Sequence, residues 1–454
     1  MKRRQFVGLL GASALSLLLP GAALADDERK RRSTSTATST TGTAPVLADT
    51  GATGSVVVVG GGMAGATAAK FLRLWGGSNV KVTLIDQNAT YSSNIMSNLV
   101  LNGSTTMSQL TYNYNALKTL YGINFVQGSV VGIVPPVGTG MGSVRLANGT
   151  TIAANKIILA PGIEFDAVPG LTPALQDGYV THAWKAGAQT TKLASQIRNM
   201  PVGGTFVMTI PASPYRCPPG PYERACIVAD WVKKNKGPNA RVIVLDANAG
   251  IQAEKHSFET AFNVTHAGVI DYRPNQTVAS VTANTTGGKH AVTTNTGTVY
   301  ADVLNVIPSH KAGKIITDNP ALANVGGRWA GVDVRSYESS GVPNVYVIGD
   351  SAASGQPKAG HIANQEAKLC ADAITRALRG DLIPNPAPKT NSACYSPITA
   401  DTASWLTVVY GYDAVNNKMV AVPGAGPIEA AAASQDNFND MKKWFATLMA
   451  DSFA

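Results

Sequence analysis

Histidine and cysteine are scarce in this chain of 454 residues, which has six and four of them. The histidines follow no metal-ligand spacing, so no metal site is expected. No Cys-x-x-Cys-His string occurs, which excludes a covalently held c-type haem on this chain. No cysteine precedes Cys217. Charged residues make up only 14% of the chain, and no Lys/Arg cluster interleaved with aromatics stands out. Nucleic acid is therefore not an expected partner. Beyond the N-terminal leader no run approaches ~18 uninterrupted apolar residues, so stable membrane insertion is not expected. The formal charge is +9, and +6 once Lys2, Arg3 and Arg4 are assigned to the leader. That leaves a weak pull on an acidic partner.

The leader is the first feature present. Lys2-Arg3-Arg4-Gln5-Phe6 precedes an apolar run from Val7 to about Leu19, and Ala23-Leu24-Ala25 is a small-x-small cleavage site before Asp26. The paired arginines mark residues 1–25 as a twin-arginine signal peptide and predict a periplasmic protein, exported folded with its cofactor. That compartment permits disulfides. Residues 26–53 read as a disordered linker, because Ser and Thr alternate there with nothing to bury.

The folded part opens on a β-branched run, Ser55 to Val59. Gly60-Gly61-Gly62-Met63-Ala64-Gly65 follows, then a helical stretch to Trp75, then a strand from Val80 to Ile85 ending at Asp86. In this strand–turn–helix–strand–acid context the glycines predict dinucleotide binding. Gly60, Gly62, Met63, Ala64 and Gly65 are candidate contacts, with Asp86 and Gln87 at the ribose. Later come Lys156 to Leu159 leading into Ala160-Pro161-Gly162, and a strand ending at Gly349-Asp350 before a helix from Ala363 to Arg379. These two segments resemble the later FAD-contact motifs of two-dinucleotide-domain flavoproteins of the glutathione reductase type. The resemblance implies FAD, with Asp350 on its ribityl chain.

A second strand–loop–helix–strand unit runs from Thr205 to Asp246. Its loop, Pro214-Tyr215-Arg216-Cys217-Pro218-Pro219-Gly220-Pro221-Tyr222-Glu223, is rich in proline rather than glycine. Proline has no N–H to offer a phosphate, so this unit is expected to lack an NAD(P)H site. The expected fold is α/β, with two Rossmann-like dinucleotide-binding domains and a C-terminal α+β interface domain. The FAD-binding domain spans 54–165 and 295–385, the inserted NAD-domain-like unit 166–294, and the C-terminal flavin-covering domain 386–454.

Cys226 and Cys370 lie in apolar helical runs and read as buried thiols, their pairing left open. Cys217 and Cys394 sit in what read as irregular loops and are candidates to pair with each other. As a staple the bond would be worth roughly 5 kcal/mol in the chain-entropy model. The other reading is a redox disulfide. Spacing does not choose between them. Glu223 is a candidate acid/base, or simply a favourable charge at a helix N-terminus.

The loop string Pro214 to Ala225, with Ala393-Cys394-Tyr395-Ser396, Pro357-Lys358-Ala359-Gly360-His361-Ile362-Ala363-Asn364 and the segment Trp444 to Phe453, resembles the flavoprotein subunit of flavocytochrome c sulfide dehydrogenase. The resemblance spans nearly the whole chain after the leader. It implies that Cys217 and Cys394 form a redox disulfide beside the flavin, with Glu223 close by. It implies sulfide oxidation to sulfur or polysulfide, with electrons leaving to a separate c-type cytochrome subunit or soluble cytochrome c. It adds Asn98, Val130, Lys358, Gly360, His361 and Tyr395 to the expected cofactor contacts. One departure is plain. Members of this family can carry FAD on a cysteine thioether, and the matching position here is Asn94, so the FAD is expected to be non-covalent. Two other readings compete. A sulfide:quinone oxidoreductase would need a membrane-facing apolar surface, for which the stripe Phe438, Met441, Phe445 and Leu448 is the candidate. An exported flavin electron carrier would need only a structural disulfide.

Overall fold

A computed structural model describes residues 44–285, 287–381 and 383–454. The expected leader and most of the expected linker fall outside them. The linker's last residues do not behave as a linker. Thr50 donates to the Gly76 carbonyl, Ala48 accepts from the Ser78 amide, and Ala52 is buried. This segment straps the far end of the first helix.

In chain order, β1 (Gly54–Val59), α1 (Met63–Gly76) and β2 (Val80–Asp86) form the expected opening unit. β3 (Asn124–Gln127) and β4 (Lys156–Leu159) follow. The inserted domain supplies β5 (Thr205–Ile210), α2 (Gly220–Asn235), β6 (Arg241–Asp246), β7 (Ile270–Arg273) and β8 (Val303–Val306). The chain then returns through β9 (Val345–Val347) and α3 (Gly360–Leu378). It ends with β10 (Lys389–Pro397), β11 (Ala403–Asp413) and α4 (Gln435–Phe453).

The first sheet is parallel in the order β9-β4-β1-β2-β3, extended beside β9 by two short antiparallel strands, Val332–Asp333 and Glu338–Ser339. Val56 to Val59 are all buried, the unbroken apolar run expected of a parallel strand covered on both faces. α1 packs against α3. The second sheet is parallel in the order β7-β6-β5-β8. β8 pairs with Phe206–Thr209, so the inserted domain continues past the expected boundary at 294, and the crossing back lies beyond Val306. An antiparallel hairpin, His290–Thr294 with Gly297–Ala301, precedes β8 and spans the expected boundary.

Two features of the C-terminal domain bear on function. Cys394 is not in an irregular loop. It lies within β10, paired antiparallel along its whole length with β11. Lys389-Thr390-Asn391-Ser392-Ala393-Cys394 has little β-branched or aromatic character, so the strand rests on its partner rather than on its own propensity. The stripe on α4 is packed inward, with Phe438, Met441, Phe445 and Leu448 all buried. Among the described residues no helix is long and apolar enough to cross a membrane.

Candidate active site

One cavity of about 340 Å³ lies where the three domains meet, within the usual size for a cofactor or small-molecule site. Its floor is the turn between β1 and α1. Gly60 has φ +101°, and a Cβ there would stand 2.3 Å from the Ala160 carbonyl oxygen. A Cβ on Gly65 would stand 1.8 Å from the Gly60 oxygen, so only glycine lets the helix sit this close to the strand. No side chain caps α1, and Gly62, Met63 and Ala64 face the cavity. Their free amide groups at a helix N-terminus suit a pyrophosphate. Asp86, at the end of β2, accepts from the Gly61 amide at 2.6 Å and from the Asn88 amide at 2.8 Å. That fixes its carboxylate at the rim beside Gln87.

Opposite this turn, Ala160, Pro161, Gly162, Gly349 and Asp350 complete the wall. Burial pushes the Asp350 carboxyl up, and the Arg216 and Lys358 cations pull it back. Glu366, which the sequence did not single out, holds this turn. Its Oε2 accepts from the Gly349 amide at 2.6 Å and its Oε1 from the Ser354 hydroxyl at 2.8 Å. Gly360, His361 and Tyr395 also line the cavity. His361 Nδ1 accepts from the Ala393 amide at 2.9 Å, which places the ring proton on Nε2. Burial lowers its pKa to about 4, so the ring is neutral.

Three expected contacts lie elsewhere. Val130 sits on a strand of a separate three-stranded sheet and does not reach the cavity. Gly65 serves the helix–strand contact instead. Lys358 turns its ammonium over the Trp329 ring at 3.8 Å and onto the Ala352 carbonyl at 3.0 Å. Its backbone carbonyl, however, accepts from the Cys217 amide at 2.7 Å and so helps fix that cysteine.

Cys217 and Cys394 come to the same cavity from different domains, and both are free thiols here. Cys217 has φ +60°. Its carbonyl accepts from the Gly220 amide at 2.9 Å, where α2 begins. A Cβ on Gly220 would lie 2.7 Å from Cys217 Sγ, so the glycine leaves room for the sulfur. Burial pushes the Cys217 thiol up to about 12, Glu223 adds to this, and Arg216 opposes it. Burial pushes the Cys394 thiol well up, with Cys217 and Glu254 adding to it. The pocket thus disfavours thiolate and favours neutral sulfur.

Glu223 is buried beside them. Asn98 bridges the region. Its Nδ2 donates to Glu223 Oε1 at 2.9 Å and to the Gly220 carbonyl at 3.1 Å, while its Oδ1 accepts from Arg224 Nε at 2.9 Å. Arg224 is fully enclosed. It also donates to the carbonyls of His182 and Ala183 and to Asn305 Oδ1, and stacks on Trp184 at 4.6 Å. Burial raises the Glu223 carboxyl to about 8, and the Asn98 hydrogen bond only partly offsets this. Asn94 lines the same cavity, its Oδ1 accepting from the Ala186 amide at 2.8 Å.

Asp246, the acid at the end of β6, is wholly buried. Its Oδ2 accepts from the hydroxyls of Tyr222 and Tyr272, each at 2.8 Å, and its Oδ1 from the Asn248 amide at 2.9 Å. The carboxylate that would hold a ribose in such a unit is already bonded internally.

Comparison with known proteins agrees with this layout. A family model for the central part of the sulfide dehydrogenase (flavocytochrome c) flavoprotein chain matches residues 190–308. One for the flavin-binding part of flavocytochrome c sulphide dehydrogenase matches residues 386–453. An NAD(P)-binding Rossmann-like model matches residues 58–121. Among solved structures, the sulfide:quinone oxidoreductase of the hyperthermophilic bacterium Aquifex aeolicus is 16% identical, covering 87% of this chain and 92% of that one with TM-score 0.67. A chain of the covalent putidaredoxin reductase–putidaredoxin complex is 16% identical, covering 88% and 94% with TM-score 0.58. The water-forming NADH oxidase of Lactobacillus brevis is 16% identical, covering 81% and 86% with TM-score 0.53. At such identity the structures show the fold alone, an α/β architecture with two Rossmann-like units.

Proposed function

From the matches of residues 190–308 and 386–453 to the central and flavin-binding models of the flavocytochrome c sulfide dehydrogenase flavoprotein, we propose that the chain oxidises sulfide through Cys217 and Cys394 beside a non-covalent FAD. In this reading it works in the periplasm after twin-arginine export, and its electrons pass to a c-type cytochrome. The observation that carries the reading is the convergence of two cysteines from separate domains on the cavity that also holds the α1 N-terminus and Asp350.

The residues present fit the cofactor. The uncapped amides of Gly62, Met63 and Ala64 would take its pyrophosphate, Asp86 a ribose, and Asp350 the ribityl chain. A flavin bound there supplies a two-electron acceptor that can pass electrons on singly. Asn94 has no thiol to offer it, which supports a non-covalent site.

In the oxidised protein the two cysteines would be joined. Hydrosulfide attacks one of the paired sulfurs, a new sulfur–sulfur bond forms to that cysteine, and the other leaves as thiolate. The buried site disfavours that thiolate, so the leaving sulfur is poised to react onward rather than rest. Glu223, protonated near neutral pH, stands beside it as acid/base. The α4 stripe that the quinone reading would need at a membrane is buried, so that candidate face is not offered.

Anaerobic addition of sulfide to the purified flavoprotein tests the proposal. The flavin band should bleach, and cytochrome c should restore it. A protein bleached by dithionite but not by sulfide would end the sulfide reading. Cys217→Ser should retain FAD and lose sulfide bleaching; unchanged turnover would make any disulfide structural.

A further inference from the structure

We propose that Arg224 supplies the positive charge against which the Cys217 sulfur ionises, an inference that rests on the sulfide reading above for the step it serves. Arg224 is 2% exposed and lines the cavity together with Cys217, Glu223, Asn98 and Trp184. Every acceptor it has is neutral. Nε donates to Asn98 Oδ1, and Nη1 to Asn305 Oδ1 and the His182 carbonyl, each at 2.9 Å. Nη2 donates to the Ala183 carbonyl at 2.6 Å. Among the described residues no carboxylate forms an ion pair with it. A buried charge without a counter-ion is costly to keep.

Three features hold the guanidinium and leave it unpaired. Ala183 has φ +46°, an unusual backbone state for a residue other than glycine, and the consecutive carbonyls of His182 and Ala183 both reach Arg224. Asn305 is wholly buried, and its Nδ2 donates to the carbonyls of Thr181 and His182 at 2.6 and 2.9 Å. That fixes its Oδ1 towards Arg224. Asn98 stands between Arg224 and Glu223, its Oδ1 on the guanidinium and its Nδ2 on the carboxyl, so the adjacent acid is bridged rather than paired. Burial lowers the Arg224 pKa to about 9, with Glu223 opposing this, so the side chain is charged at neutral pH. His182 responds to the same charge. Burial lowers its pKa to about 3, Arg224 adds to this, and the neutral ring accepts from the Trp184 amide at 2.9 Å.

The helix brings this charge to the sulfur. Gly220 and Arg224 are four residues apart on α2 and share a face. Gly220 is the residue packed on the sulfur, since a Cβ there would stand 2.7 Å from Cys217 Sγ and 3.0 Å from the Trp184 ring. Arg224 lies 4.6 Å over the same ring. The buried Trp184 ring thus borders both the guanidinium and the place of the sulfur, and little water screens one from the other. The charged or titratable groups around Cys217 are Tyr215 and Arg216 beside it in the chain, Glu223 and Arg224 on α2, Glu254, and Cys394 on β10. Of the two cations Arg216 is half-buried, and only Arg224 is enclosed. The step served needs no further reactant. Hydrosulfide anion and the Cys217–Cys394 disulfide give a Cys394 persulfide and a Cys217 thiolate. The cysteine–cysteine bond breaks, the sulfide–cysteine bond forms with the proton kept on the persulfide, and the negative charge passes to Cys217. Arg224 offsets that charge, which burial and Glu223 oppose.

Alkylation tests this without sulfide, because only the thiolate reacts. The reduced holoprotein is treated with iodoacetamide across a range of pH, and the labelled Cys217 peptide is followed by mass spectrometry. Arg224→Gln should slow labelling about tenfold at any pH below the plateau, the equivalent of about one pKa unit. Arg224→Lys keeps the charge and should stay within about threefold of the wild type. Asn305→Asp sets a carboxylate against Arg224 from a residue that does not line the cavity, and should slow labelling about as much as Arg224→Gln. It decides the matter if Arg224→Gln does not fold, melting temperature and retained FAD identifying the folded variants. Wild-type labelling in folded Arg224→Gln or Asn305→Asp would overturn the proposal. So would Arg224→Lys labelling as slowly as Arg224→Gln, since packing rather than charge would then be the cause. A wild type that ignores sulfide, with labelling that still shifts in the variants, would sink only the substrate.

Discussion

Glu223 shows how burial at one residue couples the site to stability. Its carboxyl titrates near 4.5 when exposed and near 8 in the folded protein, with burial the main cause. The folded state therefore holds a proton that the unfolded chain has given up. This contribution to stability is fully present below about pH 4.5 and is lost as pH rises through about 8. The full loss corresponds to at most about 5 kcal/mol. Glu223→Gln should keep the Asn98 hydrogen bond and remove this loss. The flavin-free variant should then melt above the wild type at pH 9 and match it at pH 4, as followed by circular dichroism. Glu254, raised to about 7 by burial, will leave some pH dependence in place. A variant with the wild-type slope would mean that Glu223 is charged or solvated in solution. At Asn94 the expectation is equally concrete. Acid precipitation should release all the yellow colour to the supernatant, and flavin retained in the pellet would contradict a non-covalent site.

At the scale of elements, the start of α2 governs where the Cys217 sulfur sits. Pro219 and Pro221 bracket Gly220, and proline at a helix start loses no needed hydrogen bond. Gly220→Ala would place a methyl 2.7 Å from Cys217 Sγ and 3.0 Å from the Trp184 ring. Since the ring is itself clamped under Arg224, the thiol must move. The variant should bind FAD, lose most sulfide reactivity, and lose about 1–3 kcal/mol from overpacking. Full reactivity would show that the sulfur has slack. The helix itself was legible in the apolar run from Arg224, but its start was not: Gly220 to Glu223 read as loop, and the helix takes them in. The β1–α1–β2 unit was legible because a β-branched run, glycines and an acid each have one local cause. β10 was not, since its partner β11 supplies the strand character. Glu254 and Glu366 were also invisible. Neither belongs to a motif, and each matters only through contacts the fold creates, Glu254 with Ser396 and Glu366 with the Gly349 amide.

At the scale of the molecule, the proline loop that replaces a glycine loop joins two Rossmann-like domains of unequal duty. The first offers an open, uncapped helix N-terminus to a ligand. In the second, Tyr222 enters the corresponding crevice from α2 and Tyr272 from β7, and both hydroxyls bond Asp246. A nicotinamide dinucleotide would have to displace both tyrosines and leave their hydroxyls unpaired in a buried site, costing about 1–3 kcal/mol for each. NADH and NADPH, added anaerobically, should therefore leave the flavin band unbleached over minutes in which sulfide bleaches it fully. Tyr222→Phe with Tyr272→Phe should loosen the Cys217 loop and weaken sulfide bleaching without opening a route from NADH. Rapid bleaching by NADH in the wild type would mean that the second domain still binds its nucleotide and that the loop yields to it.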